Sequence, residues 1–142
     1  MSEVNAGEGS VAAEPPTRVD QESPEAPVAR HLLPITASRA PSGALAVGGV
    51  DLVALADNVG TPLFVYDEDH LRARCREAVA CFGGDGVAYG TKAFLCKAMA
   101  ALAVEEGMLL DVSTGGELAV ALAAGVPGDR LVLHGNNKSV LS

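Results

Sequence analysis

At 142 residues the chain is long enough for one ordinary domain. A formal net charge of −8, with the arginines scattered, leaves no basic stripe to neutralise phosphates and argues against nucleic acid as a partner. No apolar run approaches the roughly eighteen residues that cross a bilayer, and the N-terminus is acidic where a signal peptide would be basic, so the expectation is a soluble cytoplasmic protein with no membrane partner.

Residues 1–30 hold six acidic residues, two arginines and four prolines, with scattered Ala and Val as the only apolar content. Such text cannot bury enough apolar surface to offset its ordering entropy. With the Pro- and Gly-broken stretch that follows, residues 1–44 read as a disordered acidic tail and linker, with one short extended piece expected at 44–47. Asp51 is placed to cap a helix in which Leu52, Leu55, Ala56 and Val59 recur at i, i+3, i+4 and i+7 and which Gly60 closes. The text PLFVY at 62–66 reads as a strand ended by Asp67. Residues 67–82 are helical in pattern, with Leu71, Cys75, Ala78, Val79 and Phe82 on one stripe and Gly83-Gly84 as the stop.

From residue 86 the chain becomes regular. Strand-like runs at 86–89, 108–112 and 130–134 start about 22 residues apart, and between them lie Ala- and Leu-rich helical stretches at 94–106 and 116–124, closed by Gly107 and Gly125. Even strand–helix alternation describes parallel βα units, and strands this apolar are expected to be covered on both faces. An open doubly wound sheet and a (β/α)8 barrel both satisfy the pattern.

Each of these strands is followed by a polar or glycine cluster: GTK, STGGE and HGNNKS. Ligands bind at the carboxyl ends of parallel strands in both architectures, so one rim is expected to collect Lys92, Ser113, Thr114, His134, Asn136, Asn137 and Lys138. Lys92 has two readings. It is an ordinary surface lysine at a helix start, or it is an amine just past a buried strand, beside Ala93, Phe94 and Leu95, where desolvation favours the neutral nucleophile toward an aldehyde. Asp111 lies within an apolar strand, where a carboxylate is either paired or functional, and Lys92 on the neighbouring strand is a candidate partner. Thr114 and Glu117 fit a capping box, although the two glycines between them could also form a phosphate nest. His134 could stack on a ring, move a proton or bond a loop. The three cysteines lack CxxC spacing and the histidines lack HxxxH or HExxH spacing, so no metal site is expected.

Four blocks in register, GTPLFVYD (60–67), VAYGTKAFLC (87–96), LDVSTGGEL (110–118) and LHGNNKS (133–139), resemble bacterial diaminopimelate decarboxylases, fold-type III pyridoxal-phosphate (PLP) enzymes with an alanine-racemase-like barrel. The resemblance covers residues 45–142. It implies an α/β fold: a lead-in helix, strand and helix over 45–85, the strand at PLFVY belonging with a C-terminal β domain, and the first βα units of the PLP-binding TIM barrel over 86–142. It further implies that Lys92 is the lysine that binds pyridoxal phosphate as a Schiff base, that Asp111 and His134 line the cofactor site, and that Ser113, Thr114, Asn136 and Asn137 stand on the substrate rim. The implied reaction is decarboxylation of the small-molecule amino acid meso-2,6-diaminopimelate to L-lysine and CO2, the last step of lysine biosynthesis, in an enzyme expected to be a homodimer at full length. A barrel of this kind takes about 250 residues. The expectation is therefore an N-terminal fragment, inactive alone; a noncatalytic PLP-binding or regulatory fragment and another fold-type III amino-acid decarboxylase are the alternatives.

Overall fold

The structure is a computed structural model and describes residues 28–135. The chain divides into two units after Leu33; the described part of the first is a 3₁₀ turn at Arg30–Leu32.

The second unit begins with an antiparallel meander of three short strands, β1 (Ser38–Arg39), β2 (Leu45–Val47) and β3 (Val50–Asp51), in that order. Gly48 and Gly49, at φ 57° and 78°, make the two-residue link that pairs Val47 with Val50. Two successive positive φ angles are what a twisted hairpin of this length needs, and glycine adopts them without a Cβ penalty. Ser38 and Arg39 are therefore a strand within the stretch whose sequence reads as linker. Strands of two or three residues carry too little alternation to be seen in the pattern, and side-chain bonds secure them. Thr36 Oγ1 donates to Asp67 Oδ2 (2.6 Å) and accepts from the Gly48 N–H (2.8 Å), and Ser42 donates to Asp51.

Helix α1 (Leu52–Val59) is capped as its sequence predicts, with Asp51 Oδ1 accepting from the N–H groups of Val53 (2.9 Å) and Ala54 (3.1 Å). Residues 62–66 are not a strand. The text has β propensity, but among the described residues no neighbouring strand offers it a ladder, and Phe64 stands 91% exposed. Its fastening is the Tyr66 ring, stacked on Phe94 with centroids 4.3 Å apart. Helix α2 (Glu68–Phe82) follows, its N-terminus capped by Asp67. Arg72 and Arg76 of α2 converge on Glu106, and Arg72 also reaches Glu68 and Glu105.

A second sheet is parallel: β4 (Ala88–Gly90), β5 (Leu109–Val112) and β6 (Leu131–Leu133), adjacent in sequence order. The connections are α3 (Lys97–Glu105) and α4 (Gly115–Ala123). Helix α3 starts three residues later than its sequence pattern suggests. Phe94 is extended at φ −167°, and its carbonyl accepts from the Tyr89 hydroxyl at 2.7 Å, so a 3₁₀ turn at Thr91–Ala93 precedes the helix. Met99, Ala100, Leu102 and Ala103 of α3, Ala121 of α4 and Leu110 and Val112 of β5 form one buried core with Cys75 of α2.

Register then assigns the faces. Tyr89, Leu110 and Leu131 are paired neighbours on the helix side, whereas Gly90, Asp111 and Val132 share the other. Both crossover helices contribute to the core on one face, and the strands run in unbroken order. Three parallel strands in unbroken order with both crossover helices on one face fit a segment of the wall of a (β/α)8 barrel and equally one half of a doubly wound sheet. The expectation of two covered faces does not hold for the described residues: Ala88 and Val132 are exposed on the second face, the one that looks into a barrel. No described helix is long and apolar enough to cross a membrane.

Candidate cofactor site

The carboxyl ends of β4, β5 and β6 lie side by side and gather the rim residues. Lys92 sits in the 3₁₀ turn directly after β4, exposed, and makes no hydrogen bond or ion pair with any described residue. Of the two settings its sequence allows, the exposed one is observed and the desolvated one is not. Phe94 and Leu95 instead pack against the core behind the turn and leave Lys92 facing outward.

Asp111, on the open face of β5, is not the partner of Lys92. Its Oδ2 lies 3.5 Å from Nδ1 of His134, the residue after the last of β6, whose side chain is 72% exposed. That distance is long for a charge-assisted bond. The other oxygen, Oδ1, is buried and has no hydrogen-bond partner among the described residues. A buried carboxylate oxygen left unsatisfied costs free energy, and such atoms mark places where a further group belongs.

The loop after β5 holds a capping box at the start of α4. The N–H groups of Ser113 and Thr114 both donate to Glu117 Oε2 at 2.8 Å, and the Glu117 N–H donates to Thr114 Oγ1 at 3.2 Å, a complete capping box. The two N–H bonds hold the Glu117 carboxyl below the usual carboxylate range. These donors are thus already engaged by the chain's own carboxylate. Asn136 and Asn137 lie outside the described residues, as does Lys138. Among the described residues no group of three His, Cys, Asp or Glu could hold a metal ion.

One rim residue escaped the sequence reading. Thr91, 2% exposed, donates its hydroxyl to the Asp111 carbonyl at 2.9 Å. Its place between Gly90 and Lys92 was a weak signal; the acceptor lies twenty residues away, which local pattern cannot show.

The residues present fit the aldehyde-bearing end of pyridoxal phosphate. An exposed primary amine suits the carbonyl, and the orphaned Asp111 Oδ1 offers an acceptor to a donor on a bound group. Fold and rim thus bring Lys92, Asp111 and His134 together at the carboxyl ends of three parallel strands, the place where α/β folds of this kind bind ligands.

Residues 68–142 match the family model described as pyridoxal-dependent decarboxylase, pyridoxal binding domain. The chain belongs to this family, and pyridoxal phosphate is the cofactor that membership implies. It is 53% identical over 114 residues to the diaminopimelate decarboxylase of Mycobacterium tuberculosis, covering 80% of this chain and 26% of that protein. It is 50% identical over 101 residues to that of Bacillus subtilis, covering 68% and 23%. Among solved structures, the diaminopimelate decarboxylase of M. jannaschii in complex with L-lysine aligns at a TM-score of 0.61 and 28% identity, over 74% of this chain and 26% of that one. A protein of Aquifex aeolicus aligns at 0.67 and 33% identity, over 73% and 26%. The chain therefore spans about a quarter of the length of these relatives.

Proposed function

We propose that this chain provides the cofactor lysine of a decarboxylase that converts meso-2,6-diaminopimelate to L-lysine and CO2. The observation that carries the reading is the exposed amine of Lys92 at the carboxyl end of β4, on the same rim as the orphaned Asp111 oxygen. The matches to relatives named for that activity support the substrate.

Lys92 Nζ holds the cofactor, which when bound supplies the electron sink for loss of the carboxylate. Asp111 would offer Oδ1 to a donor on the bound group, and its Oδ2 lies 3.5 Å from the exposed imidazole of His134 at the same rim. Ser113 and Thr114, held by Glu117, stand after β5 on the same rim and serve as the substrate-facing residues there. In this reading the protein acts in the cytoplasm, on a small amino acid, as a homodimer.

The test is a chimera in which these residues replace the equivalent quarter of the Bacillus subtilis relative. The chimera releases CO2 from meso-diaminopimelate, and Lys92→Ala abolishes release. An active Lys92→Ala chimera, or one that decarboxylates only a different amino acid, refutes the proposal.

A further inference from the structure

Thr91 joins two parts of the rim. It sits inside the turn that carries Lys92, and its hydroxyl bonds to the Asp111 carbonyl of β5 (2.9 Å). It is the buried polar side chain among the described residues. A hydroxyl removed from water in this way is stable only with its acceptor in place, so the bond specifies where the turn sits against β5.

Lys92 lacks such a fixture of its own. Its amine has no partner among the described residues, and four flexible bonds separate it from the backbone. Gly90 before the turn has open space where a Cβ would be and pins nothing. The direction in which the Lys92 side chain leaves the rim is thus set by its own Cα–Cβ vector, and that vector is fixed by the neighbouring residue.

We propose that Thr91 is a positioning residue: its buried hydroxyl, bonded across to the Asp111 carbonyl, locks the 3₁₀ turn so that the Lys92 amine is presented to a carbonyl ligand in one direction. The inference rests on the reading of Lys92 as the cofactor lysine. Threonine suits the role because its methyl fills the buried site while its hydroxyl makes the bond. Valine keeps the shape and removes the bond.

The experiment uses the whole 142-residue chain and its Thr91→Val and Thr91→Ser variants, with pyridoxal phosphate as the ligand. Binding is followed by absorbance titration, amide exchange of residues 91–93 is measured without ligand, and folding is checked by circular dichroism. T91V is expected to keep its fold, exchange faster in the turn and bind about tenfold more weakly, as removal of a buried hydrogen bond would give. T91S is expected to stay near wild type in both. Wild-type exchange and affinity in T91V overturn the proposal, as does an equal loss in T91S, which would assign the effect to packing of the methyl. If T91V does not fold, T91S and Thr91→Ala decide by the same two readouts. If the wild-type chain takes up no cofactor at Lys92, the reading of that lysine fails separately. The positioning claim then stands or falls on whether exchange in the turn rises in T91V and not in T91S.

Discussion

Covering the sheet on one face only makes the two sides of neighbouring strands respond differently to truncation. Leu110, at the centre of β5, has no exposed surface and lies between Tyr89 and Leu131 beneath the helices. Leu110→Ala removes three carbons, worth about 2.5 kcal/mol in transfer at ~0.8 kcal/mol each, and leaves a cavity that rigid helices fill incompletely, bringing the loss to about 3 kcal/mol. Val132, on the opposite face of β6, is 41% exposed, and Val132→Ala costs less than about 1 kcal/mol. Urea unfolding followed by far-UV circular dichroism separates the two. With a slope of about 1.2 kcal/mol/M, the first variant moves the midpoint down by about 2.5 M and the second by less than about 1 M. A similar shift in both variants would refute the reasoning, because it would mean the barrel-side face is as well covered in solution as the helix side.

Further outcomes follow from the same geometry. Thr114→Ala removes the α4 cap and costs about 1 kcal/mol in the same unfolding assay, while Thr114→Ser stays close to wild type. The carboxyl of Glu117 is held down by the Ser113 and Thr114 N–H groups, and that of Glu106 by Arg76 and Arg72. A carboxyl lower in the folded than in the unfolded chain adds stability that is full above the unfolded value, near 4.5, and is lost as pH falls through the folded one, so Glu106→Gln and Glu117→Gln flatten the acid limb of a stability–pH curve. Thiol labelling of the folded chain, read by mass, modifies Cys81 and Cys96. It spares Cys75, which is buried and whose thiol is pushed up by burial and by Glu106.

The elements legible in the sequence were those whose signal is local. Asp51 and Asp67 as caps, the Thr114–Glu117 box, the glycine stops and the parallel βα rhythm all depend on residues within one or two turns of one another, and the structure has each of them. The misses depend on distant partners. PLFVY has the composition of a strand, and the resemblance pairs it with a C-terminal β domain, so among the described residues it has no ladder. The start of α3 was displaced by Tyr89 and Tyr66 acting on Phe94. At the rim, Lys92, Asp111 and His134 were placed correctly by strand order. Which of them meet was not legible, since Asp111 turns toward His134 and Thr91 bonds to a carbonyl on another strand.

The central claim, that Lys92 is the cofactor lysine, can be tested on the chain itself because it contains only three lysines, Lys92, Lys97 and Lys138. Incubation with pyridoxal phosphate, borohydride reduction and peptide mass mapping should place the label on Lys92. A label confined to Lys97 or Lys138, or spread evenly over all three, would contradict it.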